Sequence, residues 1–132
     1  MKKLWISLLL AASTSAVFAQ KGAVFQFKDK NDTYDFGKVK EGEKVTHTYE
    51  FTNTGDQPLQ ILRVEASCGC TQPDWTKTPV LPGKTGKVSV VFNSEDKVGR
   101  TIKEITIQSN AVLPDKNKER YTLFLKGEVI KK

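Results

Sequence analysis

Alternation of apolar and polar side chains dominates the chain from residue 23 onward. It is cleanest over residues 44–53 (KVTHTYEFTN), where Val45, His47, Tyr49 and Phe51 share one face and Thr46, Thr48, Glu50 and Thr52 the other. Period two with β-branched and aromatic residues throughout predicts a half-buried strand. Similar runs predict strands over residues 23–28, 33–36, 59–67, 86–93, 101–110 and 119–129. In the run 59–67, Leu62, Val64 and Ala66 are expected inward, a parity that Cys68 and Cys70 would continue. Ile102 has the opposite parity to Ile105 and Ile107, which predicts a bulge or a switch of buried face. Residues 72–82 hold Pro73, Pro79 and Pro82 and read as a loop, because proline donates no ladder hydrogen bond.

Turn residues punctuate these runs every 8–12 positions, and no 3.6-residue period appears between them. Seven short strands in this rhythm are the pattern of an all-β sandwich. Gly37, Gly42, Gly55, Gly83 and Gly86 read as turn positions with positive φ. Pro58 and Pro82 read as residues at the starts of strands.

The first nineteen residues follow a different rule. Lys2 and Lys3 precede an apolar stretch at 4–12 (LWISLLLAA), and Val17-Phe18-Ala19 offers small residues for cleavage. This is the layout of a secretory signal, with Gln20 the expected new N-terminus, and the apolar stretch is too short to span a bilayer. The domain is therefore expected at residues 20–132, exported to the periplasm or beyond, with no transmembrane anchor in the mature chain. Losing Lys2 and Lys3 lowers the formal net charge from +6 to +4. The remaining charges are interspersed, as in Lys38, Lys40, Glu41, Glu43 and Lys44, so no basic stripe is set out for nucleic acid.

The candidate chemistry is concentrated in residues 67–71 (SCGCT), which hold both cysteines of the chain. A domain of about 110 residues buries about two-thirds of its unfolded surface and folds without a disulfide. Three main readings stay open, beside an intermolecular disulfide or attachment to a partner. Cys68 and Cys70 are small buried apolar fillers. Alternatively they form a disulfide: in a regular strand their Cα atoms would lie about 6.6 Å apart, near the upper limit for a bridge, and Gly69 could shorten that span. So small a ring would favour exchange over stapling. Or the thiolates ligate Cu(I) or Zn, completed by a carboxylate or a second chain. His47 is the only histidine, on an apolar face, and reads first as a hydrogen-bonded rim residue and second as an accessory to the thiols. No cofactor is expected, and no motif for an enzyme stands out.

Phe36-Gly37-Lys38-Val39-Lys40-Glu41-Gly42, Asn53-Thr54-Gly55, Pro58-Leu59-Gln60-Ile61, the SCGCT stretch, Leu81-Pro82-Gly83 and Ile107-Gln108-Ser109-Asn110 together resemble a known pattern. They are similar to the secreted bacterial proteins of domain-of-unknown-function 1573 (DUF1573), relatives of the immunoglobulin-like domains of the ASPM–SPD-2–hydin and major-sperm-protein type. The resemblance covers roughly residues 23–130. It implies a seven-stranded immunoglobulin-like β-sandwich and no assigned activity. The expected function is a non-catalytic binding or assembly module of the cell envelope, its partner an envelope protein or glycan. Gly69, Thr71 and Trp75, in the segment 68–75, would form the recognition surface. The alternative is a thiol-dependent redox or Cu(I)-handling protein that uses Cys68 and Cys70.

Overall fold

The computed structural model describes residues 22–115 and 117–132; the leader expected over 1–19 lies outside them. The strands are β1 (Phe25–Phe27), β2 (Thr33–Lys40), β3 (Lys44–Asn53), β4 (Ile61–Ala66), β5 (Thr71–Trp75), β6 (Thr85–Asn93), β7 (Gly99–Ser109) and β8 (Tyr121–Ile130). They form two four-stranded sheets, ordered β1-β3-β6-β5 and β2-β8-β7-β4. The described residues thus fold as the expected all-β immunoglobulin-like sandwich, with one strand more than the sequence pattern indicates.

The additional strand is β5. Pro73 does not exclude it, because β5 is an edge and pairs only with β6. The chain changes sheets five times, and two of these crossings carry unusual local structure. Asn31 and Asp32, both at φ 56°, carry it from β1 to β2, which then runs parallel to β8. Residues 67–70 carry it from β4, an edge of one sheet, to β5, an edge of the other.

Inward parity holds along β3, β6 and β8. Tyr49, Phe51, Val88, Val90, Phe92, Leu123 and Leu125 are fully buried together with Ile105 and Ile107 of β7. Parity fails in β4. Leu62 was expected inward but is 61% exposed. The ladder to β7 slips between Ile61 and Arg63, so Leu62 forms a bulge; Val64 is buried as expected, and Ile61 takes the inward place of Leu62. Ile102 also differs from expectation. The β7–β8 register is unbroken past it, and the side chain faces outward.

Asn53 ties together three segments. Its fully buried amide donates to the carbonyls of Gln57 (2.7 Å) and Val80 (2.9 Å), and its Oδ1 accepts from the backbone N–H of Val24 (3.2 Å) and Gly55 (3.0 Å). The two expected turn glycines Gly55 and Gly86 do not have positive φ. A Cβ at Gly55 would strike the Gly22 carbonyl, and one at Gly86 would strike Phe51 and Val80. Both are sites of close approach.

The Tyr49 hydroxyl crosses the sandwich to donate to the Phe124 carbonyl at 2.8 Å, and the Tyr121 hydroxyl donates to Asp32 at 2.7 Å. Burial first, then the nearby Asp29 and Tyr34, raises the Tyr49 pKa; burial first, then Asp32, raises that of Tyr121. A folded pKa above the unfolded value of 10.0 gives stability that is complete below pH 10 and is lost as pH rises beyond it. Chemical denaturation should show stability falling above pH 10, with Tyr49 contributing up to about 1.4 kcal/mol per pH unit. Tyr49→Phe should flatten that fall; an unchanged slope would refute the assignment.

Candidate functional site at the sheet-crossing corner

The corner at residues 67–70 is anchored on both sides by backbone hydrogen bonds. On the β4 side, Ser67 N–H donates to the Glu104 carbonyl (2.9 Å), and Ser67 Oγ accepts from Glu104 N–H (3.1 Å). On the β5 side, Asn93 N–H donates to the Cys70 carbonyl (2.9 Å). Between them Thr71 N–H closes a tight turn onto the Cys68 carbonyl (3.2 Å). The turn draws the Cα atoms of Cys68 and Cys70 to 5.2 Å, and a disulfide joins the pair.

Gly69 is not at positive φ, and a Cβ added there would meet nothing within 4 Å. The fold itself therefore makes no demand for glycine at this position. The Cys70 N–H points at Cys68 Sγ (3.3 Å). Thr71 is buried, 4% exposed, and its hydroxyl sits 4.0 Å from Cys68 Sγ and 3.9 Å from Cys70 Sγ. Those sulfurs are its only hydrogen-bond partners among the described residues.

Beside the bridge lies a cleft of about 270 Å³, lined by Lys44, Gly69, Cys70, Gln72, Val91, Asn93, Glu95 and Lys97. Lys44, Asn93 and the start of β5 converge because β3, β6 and β5 pair there in register, Lys44 opposite Asn93 and Thr71 opposite Phe92. That convergence is absent from the local sequence. Lys44, Val91, Asn93, Glu95 and Lys97 were not anticipated; only the cross-strand register could have indicated them.

The outer edge of β5 has no free backbone donor. Cys70 and Thr76 bond towards β6, so Thr71, Pro73 and Trp75 face away from it. Thr71 N–H is taken by the Cys68 carbonyl, Pro73 has none, and Trp75 N–H donates to Asp74 Oδ1 (2.9 Å). A partner strand would find only carbonyl acceptors there and no donor, which leaves half of the ladder unmade.

The remaining candidates lie elsewhere. Trp75 sits at the far end of β5, four residues or about 13 Å from Thr71. It packs partly on the core under the Lys77 ammonium, 3.0 Å from its ring centre. His47 is separated from the corner by β6, in register with Val90. Its Nε2 lies 2.7 Å from Asp29 Oδ2, and its ring stacks on Tyr34 (3.7 Å) and meets the edge of Tyr49 (4.5 Å). These contacts are those of a hydrogen-bonded rim residue. Among the described residues no three of His, Cys, Asp and Glu come close enough to hold a metal ion.

A larger cleft of about 670 Å³ lies against β7 and β8 near residues 113–121. Its charges are mixed, with Asp32, Glu104, Glu119, Lys118 and Arg120 around Tyr121 and Phe124. It contains no thiol.

Solved structures of similar shape show the fold. An unknown-function protein from Porphyromonas gingivalis W83 aligns with a TM-score of 0.67 at 18% identity, covering 88% of this chain and 51% of that one. The PapD-like domain 7 of human CEP192 aligns at 0.64 and 13% identity, covering 99% of each chain. The secreted serine protease VesC of Vibrio cholerae aligns at 0.58 and 15% identity, over 80% of this chain but 23% of its own. This chain therefore spans about half of the P. gingivalis protein and a quarter or less of the protease. No curated protein matches the sequence. The model of the family described as "Protein of unknown function (DUF1573)" matches residues 25–129, and the chain belongs to that family.

Proposed function

We propose that the protein is an exported, non-catalytic immunoglobulin-like module that holds an extended segment of another envelope protein at the corner cleft. The observation that carries this reading is the cleft itself: an indentation beside the disulfide, with Val91 in its lining and Lys44 and Lys97 outnumbering Glu95. An acidic side chain presented on an extended segment suits that lining. The lack of free donors on the outer edge of β5 favours side-chain docking over strand addition. Export rests on the leader pattern of residues 1–19 and agrees with a cysteine pair held as a disulfide.

The test is site-specific photo-crosslinking in the producing cell. A photoreactive residue at Gln72, in the cleft, is compared with one at Gln108 on the other sheet. The expected result is a protease-sensitive crosslinked species from position 72 that is absent from position 108. It should weaken when Lys44 and Lys97 are both changed to Glu. A glycosidase-sensitive product would replace the protein partner with a glycan, and crosslinking at position 108 alone would move the surface to the opposite sheet.

A further inference from the structure

We infer that the Cys68–Cys70 bridge is a thiol–disulfide exchange site with a built-in direction: an incoming thiolate attacks Cys70 Sγ, and Cys68 leaves as the thiolate. This activity is separate from the docking proposed above and does not depend on it.

Three observations carry the inference. First, the bridge does little for the fold. Its loop is among the shortest a bridge can close, so it restricts the unfolded chain far less than a long-loop bridge would. The corner is already held by Ser67 to Glu104 and Asn93 to Cys70.

Second, the two sulfurs differ. Cys68 Sγ accepts the Cys70 N–H at 3.3 Å, whereas no backbone donor is directed at Cys70 Sγ among the described residues. A sulfur that already holds a donor is the better leaving group, because the developing negative charge is stabilised. Cys70 packs partly on the core and lines the cleft, where Lys44 and Lys97 would attract an anionic thiol.

Third, Thr71 is a buried hydroxyl whose only partners among the described residues are these sulfurs. A neutral disulfide is a weak acceptor and a thiolate a strong one. The hydroxyl is therefore better satisfied once the bridge has opened. Thr71 is a positioning residue for the reduced state.

The step balances as follows. The thiolate RS⁻ forms an S–S bond to Cys70 Sγ while the Cys70–Cys68 bond breaks, and its electron pair stays on Cys68 Sγ. A second thiolate then attacks the mixed disulfide, releases RSSR and leaves Cys70 as thiolate. Two thiols are oxidised and one disulfide is reduced. The co-reactant class is a thiol, from either a small molecule or a cysteine-bearing peptide.

The experiment uses the oxidised full chain with reduced glutathione, which carries two carboxylates, or with uncharged 2-mercaptoethanol. Samples are quenched in acid and the adduct is located by fragmentation mass spectrometry. A cysteine-containing acidic peptide forms a second arm; faster exchange with it than with glutathione would identify a peptide source. The expected adduct is on Cys70, forming at least fivefold faster per thiolate with glutathione than with 2-mercaptoethanol. That preference should shrink in high salt. Thr71→Val keeps the buried shape and should slow exchange at least fivefold. Cys68→Ser should trap a stable Cys70 adduct when treated with oxidised glutathione. An adduct on Cys68, an even split, no adduct with any thiol, or a Thr71→Val rate equal to the parent would each overturn the inference. Circular dichroism of every variant confirms that it is folded.

Discussion

Replacing Asn53 by alanine will cost about 3–5 kcal/mol of stability, a large part of the roughly 5–15 kcal/mol that holds a domain of this size. The side chain makes four hydrogen bonds, all to backbone groups: two carbonyls on the turn at Gln57 and at Val80, and two amides at Val24 and Gly55. Alanine satisfies none of them. Each buried group left without a partner costs about 1–3 kcal/mol. The full sum will not be reached, because Gln57 is exposed and water can serve its carbonyl. Asn53→Asp is the sharper variant. It keeps an acceptor, loses both donations and buries a charge, so at neutral pH it should be at least as damaging. Urea unfolding followed by tryptophan fluorescence measures both. A loss below 1 kcal/mol for Asn53→Ala would show that the three segments are held together by other contacts.

Gly55→Ala should cost about 2–3 kcal/mol at the same knot by a different route. The backbone angle there is ordinary, so the penalty is one of contact. The new methyl would meet the Gly22 carbonyl, and a backbone cannot swing aside as a side chain can. Residues 22–24 would have to lift. That would break the Asp56 N–H bond to the Gly22 carbonyl (2.9 Å), the Thr54 N–H bond to the Val24 carbonyl (3.0 Å) and the Gly22 N–H bond to Asp56 Oδ1 (2.6 Å). Hydrogen exchange should quicken at Thr54, Asp56 and β1 while β6, β7 and β8 keep their protection. Because Asn53 supports the same segment, the double variant should lose less than the sum of the two. Gly69→Ala is the matching control, since its methyl meets open space. Equal losses at positions 55 and 69 would defeat the close-approach argument.

How much of this was legible follows from how local each signal is. The strand β3 could be read directly because one buried face imposes period two on ten consecutive residues. Leu62 misled because a bulge adds a residue without altering composition, and every parity before it is then shifted. Pro73 concealed β5, since only the knowledge that the strand is an edge makes proline admissible there. Asn53-Thr54-Gly55 stood out as a motif, but its glycine was assigned to a turn when its actual constraint is the approach of Gly22, thirty-three positions away. The cysteines marked the corner from sequence alone. The lysines beside them did not, because Lys44 and Lys97 meet Cys70 only after three strands have aligned.

The placement of the bridge between two independently anchored ladders also bears on how the sequence is free to change. Serines at 68 and 70 would leave both anchors standing, so a lineage with no use for the sulfurs could drift away from them at far less cost to folding than the loss of Asn53. Asn53 has no such freedom, because its loss is felt in every copy of the protein that folds. Within a set of related chains, the asparagine would then report ancestry of the fold, and the cysteine pair would report whether the chemistry at the corner is still in use.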